Sequence, residues 1–333
     1  MTDLAFIWAM ILAFAVLAYV VLDGFDLGIG ILFPFVRDEG ERDVMMNSVA
    51  PVWDGNETWL VLGGGGLYAA FPLAYAILLP ALYPLLIAML LALIFRGVAF
   101  EFRFRSHRSR WIWNIGFAGG SIAAAFCQGV ALGAFVQGIA VEGRAYAGGW
   151  YDWLSPFSLM TGVSLVCGYA LLGAGWLVMK TEGALQEKLW RWIKPLGAVV
   201  IGCVVVVSIW TPLLDPEISA RWFSWPNILY VAPVPLLVFV TVIAGMRAVQ
   251  KRQDRQPFFL TIALFVLSYV GLGISVFPYV VPRAVTLGAA AAPDESLGFM
   301  LVGAVVLLPA ILAYTGYAYW VFRGKIDPEE GYH

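Results

Sequence analysis

The chain has 333 residues, 61% of them apolar and 13% charged, with a net charge of −2 and a mean hydropathy of +0.83. Soluble domains carry roughly 45–50% apolar and about 25% charged residues, so that class is excluded. Nucleic-acid binding is excluded too, because no basic face is available, and a disulfide scaffold fails because Cys127, Cys167 and Cys203 stand singly inside apolar runs.

Nine apolar spans follow in chain order, at roughly 5–36, 51–71, 74–102, 112–140, 156–179, 196–213, 227–247, 257–281 and 298–322, each near the ~20 residues a helix needs to cross a bilayer. The connections are too short for a soluble domain. Residues 1–333 are therefore expected to form one all-α integral-membrane domain, a polytopic protein with nine transmembrane helices. Arg37 and Arg42 follow the first span, and Arg103, Arg105, Arg108 and Arg110 the third. Lys180, Lys188, Arg191 and Lys194 follow the fifth, Arg247, Lys251, Arg252 and Arg255 the seventh, and Arg323 and Lys325 the ninth. Only Arg144, Arg221 and Arg283 fall on the opposite side, and Arg96 lies inside a span. The positive-inside rule then places the N-terminus outside and the C-terminus in the cytoplasm. Trp111, Trp113, Trp190 and Trp192 at inner ends, with Trp150, Trp153, Trp222 and Trp225 at outer ends, form the usual interfacial belt.

Polar chemistry concentrates in the first three spans. Span 1 carries Asp23 and Asp26 in VLDGFDLGIG; span 2 opens PVWDGNETWL with Asp54, Asn56 and Glu57; span 3 ends IFRGVAFEFR with Arg96, Glu101 and Arg103. Asp23 and Asp26 are i,i+3, as are Asp54 and Glu57, so each pair shares a helix face. Asp26 lies about ten residues, or roughly 15 Å, from the cytoplasmic end of span 1. The six site residues Asp23, Asp26, Asp54, Glu57, Arg96 and Glu101 thus belong to the cytoplasmic half of the bilayer. Ionisable groups at that depth usually face a cavity, a partner or an ion path, which suits proton relay. The alternative is that Arg96 pairs with Asp23 or Asp26 only to lock helices 1 and 3 together. Asp54 and Glu57 can also be explained by the helix dipole, with Asn47 or Ser48 as the cap.

Gly63 to Gly66 form an unbroken run in span 2. Either close helix packing or a locally opened backbone lining a cofactor or quinone accounts for it. Pro80 and Pro84 are expected to kink span 3, and Gln128 and Gln137 to hydrogen-bond between helices. His107 sits in a basic loop and His333 is the last residue, so no histidine is available in the membrane for a bis-histidine haem or a histidine-rich metal site.

Taken together, VLDGFDLGIG, NSVAPVWDGNETWL and RGVAFEFR, in that order and spacing, resemble subunit II of cytochrome bd-type quinol oxidases, most of all the cyanide-insensitive branch. The nine-span layout and the FPYVVP ending of span 8 fit as well. The resemblance implies a subunit of a respiratory quinol:oxygen oxidoreductase in the bacterial cytoplasmic (inner) membrane. A haem-bearing subunit I would be the partner, holding haems b and d, oxidising quinol near the outer face and reducing oxygen to water. Subunit II would bind no haem and no metal. It would stabilise subunit I and contribute cytoplasmic proton-uptake residues, so this chain alone would not be catalytic. Quinol would be a substrate of the complex; a membrane lipid or quinone and a small single-span accessory subunit are compatible further partners. Carried over by position, Asp54 lies near the cytoplasmic mouth and Asp23 and Asp26 deeper, while Arg96 and Glu101 match the span-3 motif. Glu57 stands where the family pattern is less fixed, and Gly97 belongs to only part of the family. A proton-coupled secondary transporter is the rival class, although carriers often show matched halves with broken helices, and here the polar residues cluster at one end of the chain.

Overall fold

Inside a bilayer an open backbone N–H or C=O finds no partner but its own chain, so long apolar runs close their hydrogen bonds locally as helices. The computed structural model describes residues 3–106 and 108–326 and follows that rule. His107 and His333 lie outside the described residues. Helix α1 (Asp3–Leu32) ends in a 3-10 turn, and α2 (Glu39–Asn47) is a short linking helix. Long helices α3 (Trp53–Ala70), α4 (Pro72–Arg105), α5 (Arg110–Gln137), α6 (Pro156–Lys180) and α7 (Gly183–Leu214) follow. Then come α8 (Pro216–Phe223), α9 (Asn227–Val231), α10 (Pro233–Gln250), α11 (Gln256–Val276), α12 (Leu287–Ala290) and α13 (Asp294–Val321). Two small antiparallel hairpins, β1 (Val141–Glu142) with β2 (Ala145–Tyr146) and β3 (Tyr279–Val281) with β4 (Val285–Thr286), turn the chain at loops.

Eight helical stretches among the described residues are long and apolar enough to cross a membrane, against the nine expected. Helix α3 is the one that differs. Its 18 residues include Asp54, Asn56, Glu57 and four consecutive glycines, which dilute its apolar character. The expected cap is also corrected. The N-cap of α3 is Val52, with no side-chain cap, and Ser48 Oγ instead donates to the Met45 carbonyl at 2.7 Å. Helix α7 begins at Gly183, well before the expected 196, because Leu185, Leu189, Trp190 and Ile193 bury one side of a segment that also carries Gln186, Glu187, Lys188, Arg191 and Lys194. Pro80 and Pro84 lie inside an unbroken α4.

Cross-helix contacts fix the order of the bundle. Gly66 of α3 faces Leu12 of α1, while Asn56 at the other end of α3 meets Asp26, so the two helices run antiparallel. Glu57 meets Arg96, and Trp53 meets Gly97, so α4 takes its place on another side of α3. Trp8 Nε1 donates to the Leu297 carbonyl at 3.0 Å at the start of α13, and Lys180 donates to the Phe322 and Gly324 carbonyls past its far end. The start of α1 and the end of α13 are therefore at opposite ends of the bundle.

The glycine run of α3 stays helical, which removes the opened-backbone reading. Gly66 gives room to the Leu12 side chain, while Gly64 and Gly65 face open space. Closer approaches occur in α1. A Cβ on Gly28 would overlap the carbonyl of Tyr169, and one on Gly173 would stand 2.5 Å from the carbonyl carbon of Gly28. Helices α1 and α6 thus touch backbone to backbone, the contact that small residues permit in membranes.

Candidate functional site

From Asp23 to Phe33 every residue of α1 and its 3-10 turn is buried. The glycines of this run determine which neighbour sits on which side. Gly24 and Gly28 accept α6, with a Cβ on Gly24 standing 2.6 Å from the Tyr169 ring, and Gly30 accepts Ser121 of α5. Asp23 and Asp26 reach α3 and α4 instead. Asn56 Nδ2 donates to Asp26 Oδ2 at 2.7 Å and to the Leu22 carbonyl at 3.2 Å. Its Oδ1 accepts from the Tyr319 hydroxyl of α13 at 2.9 Å.

Arg96 arrives from α4 fully buried and is the cation of the cluster. Nη1 donates to Glu57 Oε1 at 2.6 Å and lies 3.4 Å from Asp23; Nη2 lies 3.8 Å from Asp26. Its guanidinium sits over Phe100, which stacks on Trp53 with ring centroids 4.8 Å apart. Gly120 of α5 brings that stretch of α4 close, since a Cβ there would stand 2.5 Å from the Ala92 carbonyl. Three carboxyl groups from two helices therefore surround one guanidinium. Arg96 does pair with both aspartates, as the locking alternative required, but it also bonds Glu57.

Asp54 and Glu101 stand apart from this centre. Asp54 is exposed one turn before Glu57 on α3, and Glu101 is exposed with Arg105 as its 3.8 Å partner. The polar residues that sequence reading missed are Asn56, as a ligand to Asp26, and Tyr19, Tyr169 and Tyr319. Asparagine within WDGNE was visible, but tyrosines in apolar runs read as ordinary membrane residues, so no local signal marked them. Gln128 bridges α1, α5 and α6 as expected, and Gln137 Oε1 accepts from Ser155 Oγ.

A second polar cluster closes the arginine-rich end. Arg103 donates to Asp43 and, at 2.9 Å, to Glu39, and Asn114 Oδ1 accepts from Arg103 Nε at 2.6 Å. Arg110 also pairs with Asp43 and Glu39, and Lys188 of α7 reaches Glu41 at 2.5 Å. These contacts strap α2 across α4, α5 and α7. Desolvation by itself would raise the Glu39 carboxyl, yet Arg42, Arg103 and Arg110 together hold it below its ordinary value. A depressed carboxyl contributes stability that is present above its unfolded pKa and lost as pH falls through the folded one. Once the intrinsic pH dependence of amide exchange is divided out, the protection of residues 39–47 should therefore fall on acidification below about pH 4, the ordinary glutamate range. Glu39→Gln should flatten that dependence, and a native chain whose protection at about pH 3 equals that at pH 7 would refute the strap.

Among the described residues no group of three or more His, Cys, Asp or Glu is placed to hold a metal ion. Cys127, Cys167 and Cys203 are all free thiols.

Comparison with known proteins gives consistent results. Residues 4–322 match the family model described as cytochrome bd terminal oxidase subunit II. The chain is 30% identical over 373 residues to cytochrome bd-I ubiquinol oxidase subunit 2 of Escherichia coli (strain K12), covering 98% of this chain and 96% of that protein. It is 28% identical over 347 residues to cytochrome bd ubiquinol oxidase subunit 2 of Bacillus subtilis, covering 99% of each. The solved structure of bd oxidase from Geobacillus thermodenitrificans superposes with a TM-score of 0.75 at 17% identity, over 96% of this chain and 99% of that one, which establishes a shared fold.

Proposed function

This chain belongs to the cytochrome bd terminal oxidase subunit II family, and from that premise we propose that its buried acid cluster carries protons inward from the cytoplasm. It is a multi-pass membrane subunit of a quinol oxidase, an oxidoreductase complex. The transporter alternative falls with that assignment.

The observation that carries the proton reading is the composition of the centre: Asp23, Asp26 and Glu57 around the single guanidinium of Arg96. Unpaired charge in a low-dielectric interior costs several kcal/mol per ion. A proton is the charge that can move in and out of such a site, and intramembrane carboxylates commonly mark proton relays. Asp54 is the proposed mouth, one turn ahead of Glu57, and Glu101 a surface acid on the approach. Side chains that hold or pass protons here need bind nothing else.

The same reading makes this chain haem-free, with the haems held by subunit I, and places the complex in the bacterial cytoplasmic membrane. We infer that α3 is the ninth span. It lies antiparallel beside α1 from the level of Asp26 to that of Leu12, which supports a crossing. Nine crossings put the N-terminus outside and the arginine-rich end in the cytoplasm. Residues 1–333 would then form one membrane domain; lipid, quinone or a small accessory subunit would be further partners.

The test uses the assembled oxidase in proteoliposomes, with oxygen consumption and cytoplasmic-side proton uptake followed together. Asp23→Asn and Asp26→Asn should each lower both rates by on the order of 100-fold or more, the scale of a positioned proton-transfer group. Asp54→Asn should slow uptake less, because an exposed mouth has hydrated alternatives. Native rates in both buried variants would remove the cluster from the route.

A further inference from the structure

Tyr19 lies one turn before Asp23 on the same face of α1, and it is buried. Its hydroxyl belongs to a chain of hydrogen bonds that joins three helices. Gln128 of α5 donates from Nε2 to the Tyr19 oxygen at 2.7 Å, and Gln128 Oε1 accepts from the Tyr169 hydroxyl of α6 at 2.9 Å. Tyr169 is fully buried, its ring seated against Gly24, the residue between Asp23 and Phe25.

The direction of these bonds matters. A tyrosine hydroxyl has one proton and a primary amide has an acceptor end and a donor end. Tyr169 uses its proton on Gln128 Oε1, so the amide presents its NH2 to Tyr19. The Tyr19 oxygen accepts that bond and keeps its own proton for a further acceptor. Asp23, four residues on along the same buried face of α1, is the neighbouring carboxylate that can take it. Both Asp23 oxygens are buried without a hydrogen bond of normal geometry, and the Arg96 guanidinium stands 3.4 Å away. A buried carboxylate without a donor is costly, and the triad leaves the Tyr19 proton free to serve as one.

We infer that Tyr19 is a positioning residue for Asp23, with Gln128 and Tyr169 setting its hydroxyl so that the proton points at that carboxylate. The consequence is a polar link from the acid cluster of α1, α3 and α4 into the α5 and α6 side of the bundle. This rests on the proton-route reading for its effect on turnover, but not for its geometry. The charged and titratable groups around Asp23 are Asp26 and Tyr19 on α1, Glu57 on α3, Arg96 on α4, Tyr169 on α6 and Tyr319 on α13.

The experiment compares Tyr19→Phe, Gln128→Leu, their double variant and Asp23→Asn in the purified oxidase complex. The carboxyl band of Asp23 in the infrared difference spectrum is assigned by its loss in Asp23→Asn. That band should move in Tyr19→Phe and in Gln128→Leu. The double variant should move it no further than Tyr19→Phe, because Gln128 acts through Tyr19. The pH dependence of turnover should shift toward higher pH by about one unit in Tyr19→Phe, as expected when a charged acceptor loses a buried donor. An unmoved band with an unmoved pH profile in Tyr19→Phe overturns the inference, even if thermal stability falls. A moved band in a complex whose turnover survives Asp23→Asn keeps the alignment and removes the proton route instead.

Discussion

Arg96→Gln should destabilise this subunit by about 3–5 kcal/mol, the cost of breaking a buried ion pair from one side. Arg96 is fully buried, and so are Asp23 and Asp26. Glutamine retains hydrogen-bonding capacity but no charge, so the carboxyl groups lose the only cation within 4 Å of them among the described residues. Arg96→Lys should be milder without being native. A lysine ammonium is a point charge, whereas the guanidinium bonds Glu57 and faces both aspartates with its two ends. The yield of assembled complex and its thermal midpoint in mild detergent check the expectation. Adding Asp23→Asn to Arg96→Gln should recover part of the lost yield, because it removes one uncompensated charge. An Arg96→Gln complex that assembles with a native midpoint would contradict the central place of this ion pair.

Gly28→Ala should be nearly as damaging although it adds a single methyl group. The new Cβ would overlap the Tyr169 carbonyl and stand 2.8 Å from the Gly173 amide nitrogen, both backbone atoms that cannot rotate away. Overpacking typically costs about 1–3 kcal/mol where side chains can adjust. Here α1 and α6 must separate, which also displaces Asp23 from the Arg96 centre. The same change at Gly202 of α7 meets nothing within 4 Å. Gly202→Ala should be neutral or stabilising by up to ~1 kcal/mol through helix propensity. Thermal unfolding of the two variants side by side separates the effect of close approach from that of composition. Equal midpoints would show that α1 and α6 do not touch at Gly28.

Much of this architecture is legible in the sequence. Helix positions along α1, α4, α5, α6 and α13 fell close to the apolar runs, because hydropathy over 20 residues is a property of the local chain. The pairing of Asp23 with Asp26 and of Asp54 with Glu57 on shared faces needed only helical periodicity. Less was visible where polar residues served packing. The first turns of α7 read as a loop although Leu185, Leu189, Trp190 and Ile193 are buried, and α3 read as a span although its acids and glycines weaken that signature.

Separating the acids required the fold. Asp54 and Glu57 are three residues apart, yet only Glu57 reaches Arg96, and Glu101 sits near Arg96 in sequence but faces away from the centre. Helix rotation decides such outcomes, and rotation is set by contacts distant in sequence: Gly28 against Gly173, Gly30 against Ser121, Gly120 against Ala92. A helical membrane protein, its family motifs and a concentration of acids near one arginine are all written in the order of residues along the chain. Which acids share that arginine, and how Asn56, Tyr19, Gln128, Tyr169 and Tyr319 join them, depends on the packing of whole helices. The difference is one of range. Hydropathy and helical periodicity act along one helix, whereas a hydrogen bond between α1 and α5 depends on how closely and at what rotation two helices can meet.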